Sequence, residues 1–275
     1  MKLLAVAVGG RGLVDPDEPV FGADDEALLR GRAAFETVRV YGGSPFRLDR
    51  HVARLGASAV SLALPPPDPD ECLHLAGLAV AAAGEPDCAL RLYYTGTTLV
   101  ATTAPIADDV EERRARGLRL VSLELGVDLS RPGWLLPGVK STSYAVNMAA
   151  EAEARRRGAD DAVFLAAGEI VLEAPISNVW WRRGGTLRTP AVEVGVLAGV
   201  TRATLLELAP AAGYAVEEGT FGLDDLRVAH EAFTSSSVRE ILPVVMLDGA
   251  PIGDGAPGPA AAELQRALRA LAGGR

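Results

Sequence analysis

Runs of apolar residues alternate with polar, glycine- and proline-containing segments along the chain, and they predict its helices and strands. AFETVRVY (34–41) is rich in β-forming residues and precedes the turn sequence YGGSPF, which predicts a hairpin. Asp49 is the predicted N-cap of a first helix and Asp68 that of a second, which has proline at its first position. The first helix spans 49–64, the second ends at Gly84, and strands follow at 90–96 and 99–105.

Short apolar segments are closely spaced in the second half of the chain. A charged stretch without an apolar face, 107–117, is the candidate interdomain linker. After it, strands are predicted at 118–124, 162–166, 169–172, 177–182 and 186–189, and helices at 144–157, 199–210 and 260–271. Helices and strands alternate before the linker, whereas strands cluster after it. This pattern predicts an α+β protein of two domains, 1–117 and 118–275.

Charge and composition narrow the class of partner. The net charge is −9 and the chain has no basic block, which argues against nucleic acid or an anionic membrane as a partner. The apolar N-terminus is interpreted as a strand rather than a signal peptide, and no segment approaches the ~20 apolar residues of a membrane span. Cys72 and Cys88 lack a metal-binding spacing and suit a reducing compartment. We expect a cytoplasmic protein without a metal site.

Lys140 is unusual because the chain uses arginine for nearly all of its basic residues. Lysine and arginine together number 27, yet Lys2 and Lys140 are the only lysines. Lys140 follows a Pro-Gly turn and precedes the hydroxyl-rich sequence STSY. A surface lysine in a loop is one interpretation. The other is a catalytic amine, because an amine can lose its proton and form a Schiff base with a carbonyl, which a guanidinium cannot.

Four further segments carry candidate chemistry. Glu173 ends an apolar strand, so it is either solvated there or buried beside a cationic or N–H partner. Thr201 lies at a predicted helix start, which is either a plain cap or an anion site. The three serines of FTSSSV follow a strand and could surround oxygen atoms. Arg54 shares a helix face with His51, and such a face is often only solvated.

These segments, in this order, resemble the fold-type IV pyridoxal-phosphate enzymes. That family includes branched-chain aminotransferases, D-amino-acid aminotransferases and aminodeoxychorismate lyases. The similar stretches are FETVRVYGGSPFRLDRHVARL, GVKSTS, EAPISNVW, TPAVEVGVLAGVTR and FTSSSVREILPV. The resemblance implies a smaller N-terminal α/β domain, a larger C-terminal pseudo-barrel domain and a cleft between them for pyridoxal 5'-phosphate (PLP). It also implies a homodimer.

The resemblance also implies a role for each matching residue. Lys140 would bind the cofactor through a Schiff base and carry the substrate proton. Glu173 would face the pyridine nitrogen and keep it protonated. Arg54 would bind the phosphate. The remaining cofactor-binding residues implied are Asn178, Leu197, Val200, Thr201 and Ser237.

The substrate site departs from each subfamily. The candidates for binding the substrate are Arg91, Arg32, Arg239 and Tyr144. Arg91 matches an arginine of the branched-chain enzymes, but position 145, where those enzymes have a tyrosine, is alanine. The lyases commonly show Lys-x-x-Asn, whereas this chain has Ser143. Arg32 stands where many relatives are acidic, and it could bind a substrate carboxylate or be an ordinary surface charge.

The resulting prediction is an aminotransferase that moves an amino group from an amino acid or related amine to a 2-oxo acid. Aminodeoxychorismate lyase, which eliminates pyruvate with the same cofactor, is the alternative. Two other classes stay open at this point. His230 and the three serines could belong to a serine hydrolase, although no G-x-S-x-G elbow is present. The chain could also be a ligand-binding protein that has lost catalysis.

Overall fold

The structure is a computed structural model that describes residues 2–127, 134 and 136–273. By their contacts the residues form two compact units. The first contains the residues up to Ala107, the segment Val139–Tyr144 and the residues from Ala272 onward; the second contains 108–138 and 145–271. The predicted domain boundary between 117 and 118 stays a prediction. Met1 and residues 274–275, at the outer ends of the predicted domains, lie outside the described residues.

The first unit is built on an antiparallel sheet. Its described strands are β1 Ala5–Val8, β2 Gly12–Val14, β3 Ala34–Tyr41, β4 Ser44–Pro45, β5 Cys88–Tyr94 and β6 Leu99–Ala104. They lie in the order β2-β1-β6-β5-β3-β4. The described helices are α1 Glu26–Arg30, α2 Leu48–Ser61 and α3 Pro69–Ala82. The strand predicted at 34–41 is confirmed in both its bounds.

Helices α2 and α3 bury their apolar sides in the same core cluster as one face of this sheet. Val38 and Val40 of β3 share that cluster with Leu55 of α2 and Leu75 of α3. Side chains two residues apart point to the same face of a strand, so β3 directs every second residue into this core. Cys72 and Cys88 lie in the core as free thiols, and burial raises the pKa of Cys72 to about 11.

The two helix starts of this unit differ from one another. Asp68 caps α3 as predicted, because its side chain accepts a hydrogen bond from the backbone N–H of Asp70. The prediction for α2 was wrong. Arg47 occupies the N-cap with a φ of 53°, and Asp49 is the second helical residue. A carboxylate inside the first turn still interacts favourably with the helix dipole, which is why the sequence pattern misled.

The second unit contains a larger mixed sheet. Its described strands are β7 Leu118–Glu124, β8 Asp161–Ala166, β9 Ile170–Val171, β10 Asn178–Arg183, β11 Thr186–Pro190, β12 Ala215–Gly219, β13 Glu231–Ser236, β14 Glu240–Leu247 and β15 Ala250–Pro251. The order is β12-β11-β10-β13-β14-β7-β8-β9, with β15 beside β14. The pairs β7–β8, β7–β14 and β11–β12 are parallel. With the helices below, this confirms the α+β class.

The helices of the second unit are α4 Val110–Arg116, α5 Ala145–Arg156, α6 Val200–Leu208, α7 Leu223–Arg227 and α8 Pro259–Leu271. Helix α4 falls in the predicted linker, and its Val110 is buried. Apolar residues of α6 and α8, including Leu205 and Leu264, share a core cluster with Trp180 and Phe233 of the sheet. Within the described part of the chain, no helix combines the length and apolar character needed to cross a bilayer.

Candidate active site

The segment that carries Lys140 is held as an additional strand-like edge of the first unit. The backbone N–H of Phe35 donates to the carbonyl of Lys140 at 3.0 Å, and the N–H of Thr142 donates to the carbonyl of Ala33 at 2.9 Å. The N–H of Lys140 donates to Ser58 Oγ at 3.2 Å. Lys140 is therefore fixed through its own backbone on both sides, by β3 and by α2.

Two hydroxyl groups after Lys140 hold the segment at its other end. Thr142 Oγ1 and Ser143 Oγ each donate to the carbonyl of Gly31 at 3.0 Å. Gly31 has a φ of 66°, and a Cβ at this position would lie 2.6 Å from Ser143 Oγ and 3.1 Å from its Cα. Only glycine satisfies both the backbone conformation and this close approach. The glycine therefore allows the lysine segment to lie against the end of α1.

The amine of Lys140 lies against aromatic side chains. Its Nζ is 4.5 Å from the ring centroid of Phe35 and 6.0 Å from that of Tyr144. Phe35 packs edge-on against Tyr144 at 5.3 Å and stacks with Tyr93 at 6.2 Å between ring centroids. Aromatic faces attract a charged ammonium and also provide an apolar surface for a flat ligand. Lys140 is half-buried rather than a solvated surface lysine.

Arg54 is held by a buried carboxylate of the same unit. Its Nε donates to Glu36 Oε1 at 2.8 Å and its Nη2 donates to Glu36 Oε2 at 2.7 Å. His51 Nδ1 contacts the same Oε2 at 2.7 Å. Glu36 is completely buried on β3, whereas the Arg54 side chain retains 13% of its exposure. The basic helix face predicted to be solvated or phosphate-binding thus rests on an internal ion pair.

The charges of this group follow from its contacts. Burial raises the pKa of Glu36, but the hydrogen bonds from Arg54 and His51 outweigh burial and lower that pKa to about 2. Burial lowers the pKa of His51, and this outweighs the opposing effect of Glu36. At neutral pH the carboxylate is ionised and His51 is neutral. Because an ionised carboxylate only accepts hydrogen bonds, the proton of His51 is on Nδ1.

A second group of predicted residues meets in the second unit, around Glu173. Its Oε1 accepts from the backbone N–H of Leu197 at 3.0 Å, and its Oε2 accepts from Asn178 Nδ2 at 2.9 Å. Asn178 Nδ2 also donates to the carbonyl of Leu197 at 2.9 Å. Strand β9 ends at Val171, so Glu173 lies beyond it and does not end it as predicted. The N–H partners fix the plane of the carboxylate.

The start of α6 lies next to this group. Gly199 is the N-cap and Val200 the first helical residue, so Thr201 is the second helical residue, two positions past the N-cap. Gly199 has no side chain to offer the first-turn N–H groups, which have no partner within the helix. A Cβ at Gly199 would lie 2.0 Å from Asn178 Oδ1. Ser237, half-buried, follows β13 in the same unit.

The four substrate candidates have different surroundings. Arg32 donates from Nε to the carbonyl of Leu62, from Nη2 to that of Ala63 and from Nη1 to Glu26. Arg91 lies on β5 opposite Thr37 and Thr102. Arg239 Nη1 approaches Asp161 Oδ2 at 3.4 Å, and Tyr144 packs on Phe35. Arg32 thus binds the carbonyls of the C-cap residue of α2 and of the residue that follows it, a role that the sequence did not suggest.

Glu36 and Ser58 also belong to this site, although neither was predicted from the sequence. Glu36 has the same phase as the core residues Ala34, Val38 and Val40 in the alternating pattern of β3. A glutamate at an inward position requires a cationic partner, and this signal was available in the sequence. Ser58 lies one helical turn after Arg54, on the face that α2 buries. That spacing would have indicated a shared role for the two residues.

Comparison with known proteins identifies the family. Residues 33–247 match the family model for amino-transferase class IV. The chain belongs to this family. A class IV aminotransferase of this kind uses PLP as its cofactor. The match extends from the residue before β3 to the end of β14, so it includes both groups of residues described above.

Individual class IV relatives cover nearly the whole chain. A bifunctional aminodeoxychorismate lyase / D-amino acid transaminase of Mycobacterium tuberculosis is 31% identical, over 86% of this chain and 89% of the relative. A D-alanine aminotransferase of Listeria monocytogenes is also 31% identical, with 92% and 91% covered. A hypothetical aminotransferase from Mycobacterium tuberculosis, in an alpha-ketoglutarate and PMP bound form, has a TM-score of 0.91 at 30% identity, with 97% and 98% covered.

The residues present suit PLP chemically. PLP carries an aldehyde, a phosphate and a pyridine nitrogen, and the chain offers an amine at Lys140, a guanidinium at Arg54 and a fixed carboxylate at Glu173. The close approach of Gly199 to Asn178 is an independent structural indication that the start of α6 suits a phosphate, because it excludes a side chain at the N-cap. The N-cap residue of α6 therefore has no side chain that could compete with a phosphate for the first-turn N–H groups.

Proposed function

We propose that the chain transfers an amino group between an amino acid and a 2-oxo acid, with Lys140 as the covalent anchor of PLP and as the proton carrier. The observation that carries this proposal is the arrangement of Lys140. Its backbone is fixed on two sides, and its amine lies 4.5 Å from the Phe35 ring. The family membership supplies the reaction class.

When bound, PLP supplies an aldehyde that bonds to amines and a ring that accepts electrons from the substrate Cα. The Nζ of Lys140, released by the incoming amino group, would take the Cα proton and return it. The carboxylate of Glu173, oriented by Leu197 and Asn178, would stabilise a proton on the ring nitrogen. Arg54, the first-turn N–H groups of Val200 and Thr201, and Ser237 would hold the phosphate, while Leu197 would pack on the ring.

Substrate carboxylates require a cationic partner, and we propose Arg91 or Arg239 for this role, with Tyr144 beside the reacting amine. Arg32 is a weaker candidate, because its guanidinium already donates to two carbonyls and to Glu26. We also propose a cytoplasmic homodimer. None of the five described residues of α1 is buried, and Leu28 and Leu29 are 70% and 62% exposed, which supports a partner surface there.

The first experiment is borohydride reduction of the PLP-treated chain followed by peptide mapping. We expect the reduced cofactor on the peptide that contains Lys140, and the same treatment of Lys140→Arg should leave that peptide unmodified. Lys2 is the matched internal control, because it is the other lysine of the chain. Label on Lys2 alone, or normal turnover by Lys140→Arg, would contradict the proposal.

Aminodeoxychorismate lyase activity is the second candidate, since the similar Mycobacterium tuberculosis protein is a bifunctional aminodeoxychorismate lyase / D-amino acid transaminase. Bleaching of the cofactor absorbance by an amino donor, tested with both enantiomers of each amino acid, would support transamination. Release of pyruvate from aminodeoxychorismate without an oxo-acid acceptor would support the lyase.

The hydrolase alternative has little support in the geometry. His230 precedes β13 and accepts a hydrogen bond at Nδ1 from the N–H of Gly184, whereas Ser235, Ser236 and Ser237 lie at the other end of that strand. A histidine and a serine at opposite ends of one strand cannot form a hydrogen-bonded pair.

A further inference from the structure

We propose that Glu36 is a positioning residue that holds the Arg54 guanidinium in the orientation required by the cofactor phosphate. This inference rests on the proposed function, because it takes Arg54 as a phosphate ligand. Glu36 itself is 0% exposed and lies beneath Arg54, so it acts through Arg54 rather than on the cofactor.

The geometry of the contact fixes a plane as well as a position. Two parallel hydrogen bonds of 2.8 Å and 2.7 Å join both oxygens of Glu36 to Nε and Nη2 of Arg54. A single bond would allow the guanidinium to pivot, whereas a fork of two bonds prevents rotation. Arg54 retains 13% of its exposure, and Glu36 has none, so the buried partner anchors the one that reaches outward.

His51 fixes the carboxylate in turn. Its Nδ1 is 2.7 Å from Glu36 Oε2, the same oxygen that Arg54 Nη2 contacts. His51 and Arg54 are three residues apart on α2, which places both on the face that packs against β3. His51 is only 1% exposed. The carboxylate therefore has little freedom to move, and this restriction passes to the guanidinium.

The charge of Glu36 opposes the binding of an anion. A carboxylate beside Arg54 reduces the positive potential that a phosphate experiences, so electrostatics alone favours a neutral residue here. The orientation that Glu36 imposes must outweigh this loss if the proposal is correct. The orientation of Arg54 strengthens phosphate binding and the charge of Glu36 weakens it. A neutral residue of the same shape at position 36 shows which of the two effects is larger.

The test compares the unaltered chain with Glu36→Gln. For each full chain, after removal of the cofactor, the equilibrium binding of PLP and of pyridoxal is measured. Glutamine keeps one acceptor for Arg54 but places an N–H where Oε2 accepted two bonds, so the fork is lost. We expect PLP to bind about 10 to 100 times more weakly. Pyridoxal lacks the phosphate, and its affinity should stay within about twofold. PLP affinity that is unchanged or increased would overturn the proposal.

A double-mutant cycle tests whether Glu36 acts through Arg54. In an Arg54→Gln background, Glu36→Gln should change PLP affinity by less than about twofold, because the group that it orients is gone. A full effect in that background would overturn the proposal. Glu231→Gln is the control. Glu231 is 3% exposed and accepts from Arg182 and from the N–H groups of Ala260 and Ala261, so its loss should reduce stability but not the ratio of the two affinities.

If Glu36→Gln does not fold, Glu36→Asp replaces it. Aspartate keeps the charge but is shorter by one carbon–carbon bond of about 1.5 Å, too short to maintain both bonds to Arg54. The ratio of PLP to pyridoxal affinity should fall in the same direction, and an unchanged ratio would overturn the proposal. Failure of the proposed function is distinguishable, because the unaltered chain would then bind no PLP at Lys140.

Discussion

Ser58 Oγ accepts a hydrogen bond from the backbone N–H of Lys140 at 3.2 Å, one helical turn after Arg54 on the same helix. Helix α2 therefore carries Arg54, the residue proposed to bind the phosphate, and also holds the backbone of Lys140, the proposed reactive lysine. Ser58 is buried, so Ser58→Ala would leave the Lys140 N–H without this acceptor. We expect a loss of about 1 kcal/mol in the free energy of unfolding, measured by urea denaturation. Ser61→Ala, at an exposed position of the same helix, should cost less than half of that.

Glu173→Gln should slow transamination without preventing PLP binding. Glutamine keeps one oxygen that accepts from the N–H of Leu197, but its NH2 replaces the oxygen that accepts from Asn178, and the negative charge proposed to face the ring nitrogen is lost. We expect the half-reaction with an amino donor to slow by roughly 10²-fold or more. Stopped-flow absorbance measures this rate. A variant that reacts at the normal rate would exclude Glu173 as the partner of the ring nitrogen.

Gly199→Ala should displace Asn178. The added Cβ would lie 2.0 Å from Asn178 Oδ1, and Asn178 is the residue that orients Glu173. We expect a loss of roughly 1–3 kcal/mol in stability, together with weaker PLP binding. Gly222→Ala is the matched control, since Gly222 is also a helix N-cap with extended backbone and its Cβ would meet no described atom within 4 Å. Equal effects of the two substitutions would contradict this explanation.

Arg32→Gln distinguishes two possible roles of Arg32, as a ligand of the substrate carboxylate and as a residue that caps the end of α2. Its three hydrogen bonds reach Leu62, Ala63 and Glu26, and its side chain is 40% exposed. We expect a loss of roughly 0.5–1 kcal/mol in stability, reduced by solvent screening, and no change in KM for any amino donor. A KM that rises tenfold or more, at about 1.4 kcal/mol per decade, would restore Arg32 as the carboxylate ligand.

Acid should destabilise the chain in two steps. His51 has a folded pKa below its ordinary 6.5, so the unfolded chain binds its proton first and stability falls as the pH drops below 6.5. Glu36 has a folded pKa of about 2 against an ordinary 4.5, so its contribution, about 3 kcal/mol, is present above 4.5 and is lost as the pH falls from 4.5 towards 2.

Urea unfolding at a series of pH values measures both steps. Glu36→Gln should make the lower step smaller by about 3 kcal/mol, and His51→Gln should lack the upper step. A wild-type free energy of unfolding that stays constant between pH 6.5 and 4.5 would show that His51 is already charged in the folded chain.

The elements that the sequence predicted well are those with local signals. Strand β7 and the cap at Asp68 depend on neighbouring residues, and both were confirmed. Helix α1 and the parallel strand β12 were missed. None of the described residues of α1 is buried, and β12 depends on β11, whose residues lie some thirty positions earlier.

The residues of the candidate site also divide into those with local sequence signals and those without. Lys140, Glu173 and Arg54 could be selected because their neighbours in sequence are informative. The hydrogen bond from the N–H of Leu197 to Glu173 and the one from the N–H of Lys140 to Ser58 could not be predicted, because each joins residues that are distant in sequence. Pairing across such distances is set by tertiary packing and leaves no periodic trace. Glu36 is intermediate, since its inward phase was readable and its partner was not.

The grouping of Val139–Tyr144 with the N-terminal residues has a consequence for building hybrid enzymes. A crossover placed at residue 117 would take Lys140 from one parent and Phe35, Gly31 and Ser58 from the other. The lysine segment would then pack against residues of a different enzyme. Recombination that exchanges residues 139–144 together with the N-terminal unit would preserve the original fit. Libraries made with these two designs should differ in the fraction of coloured, cofactor-loaded protein.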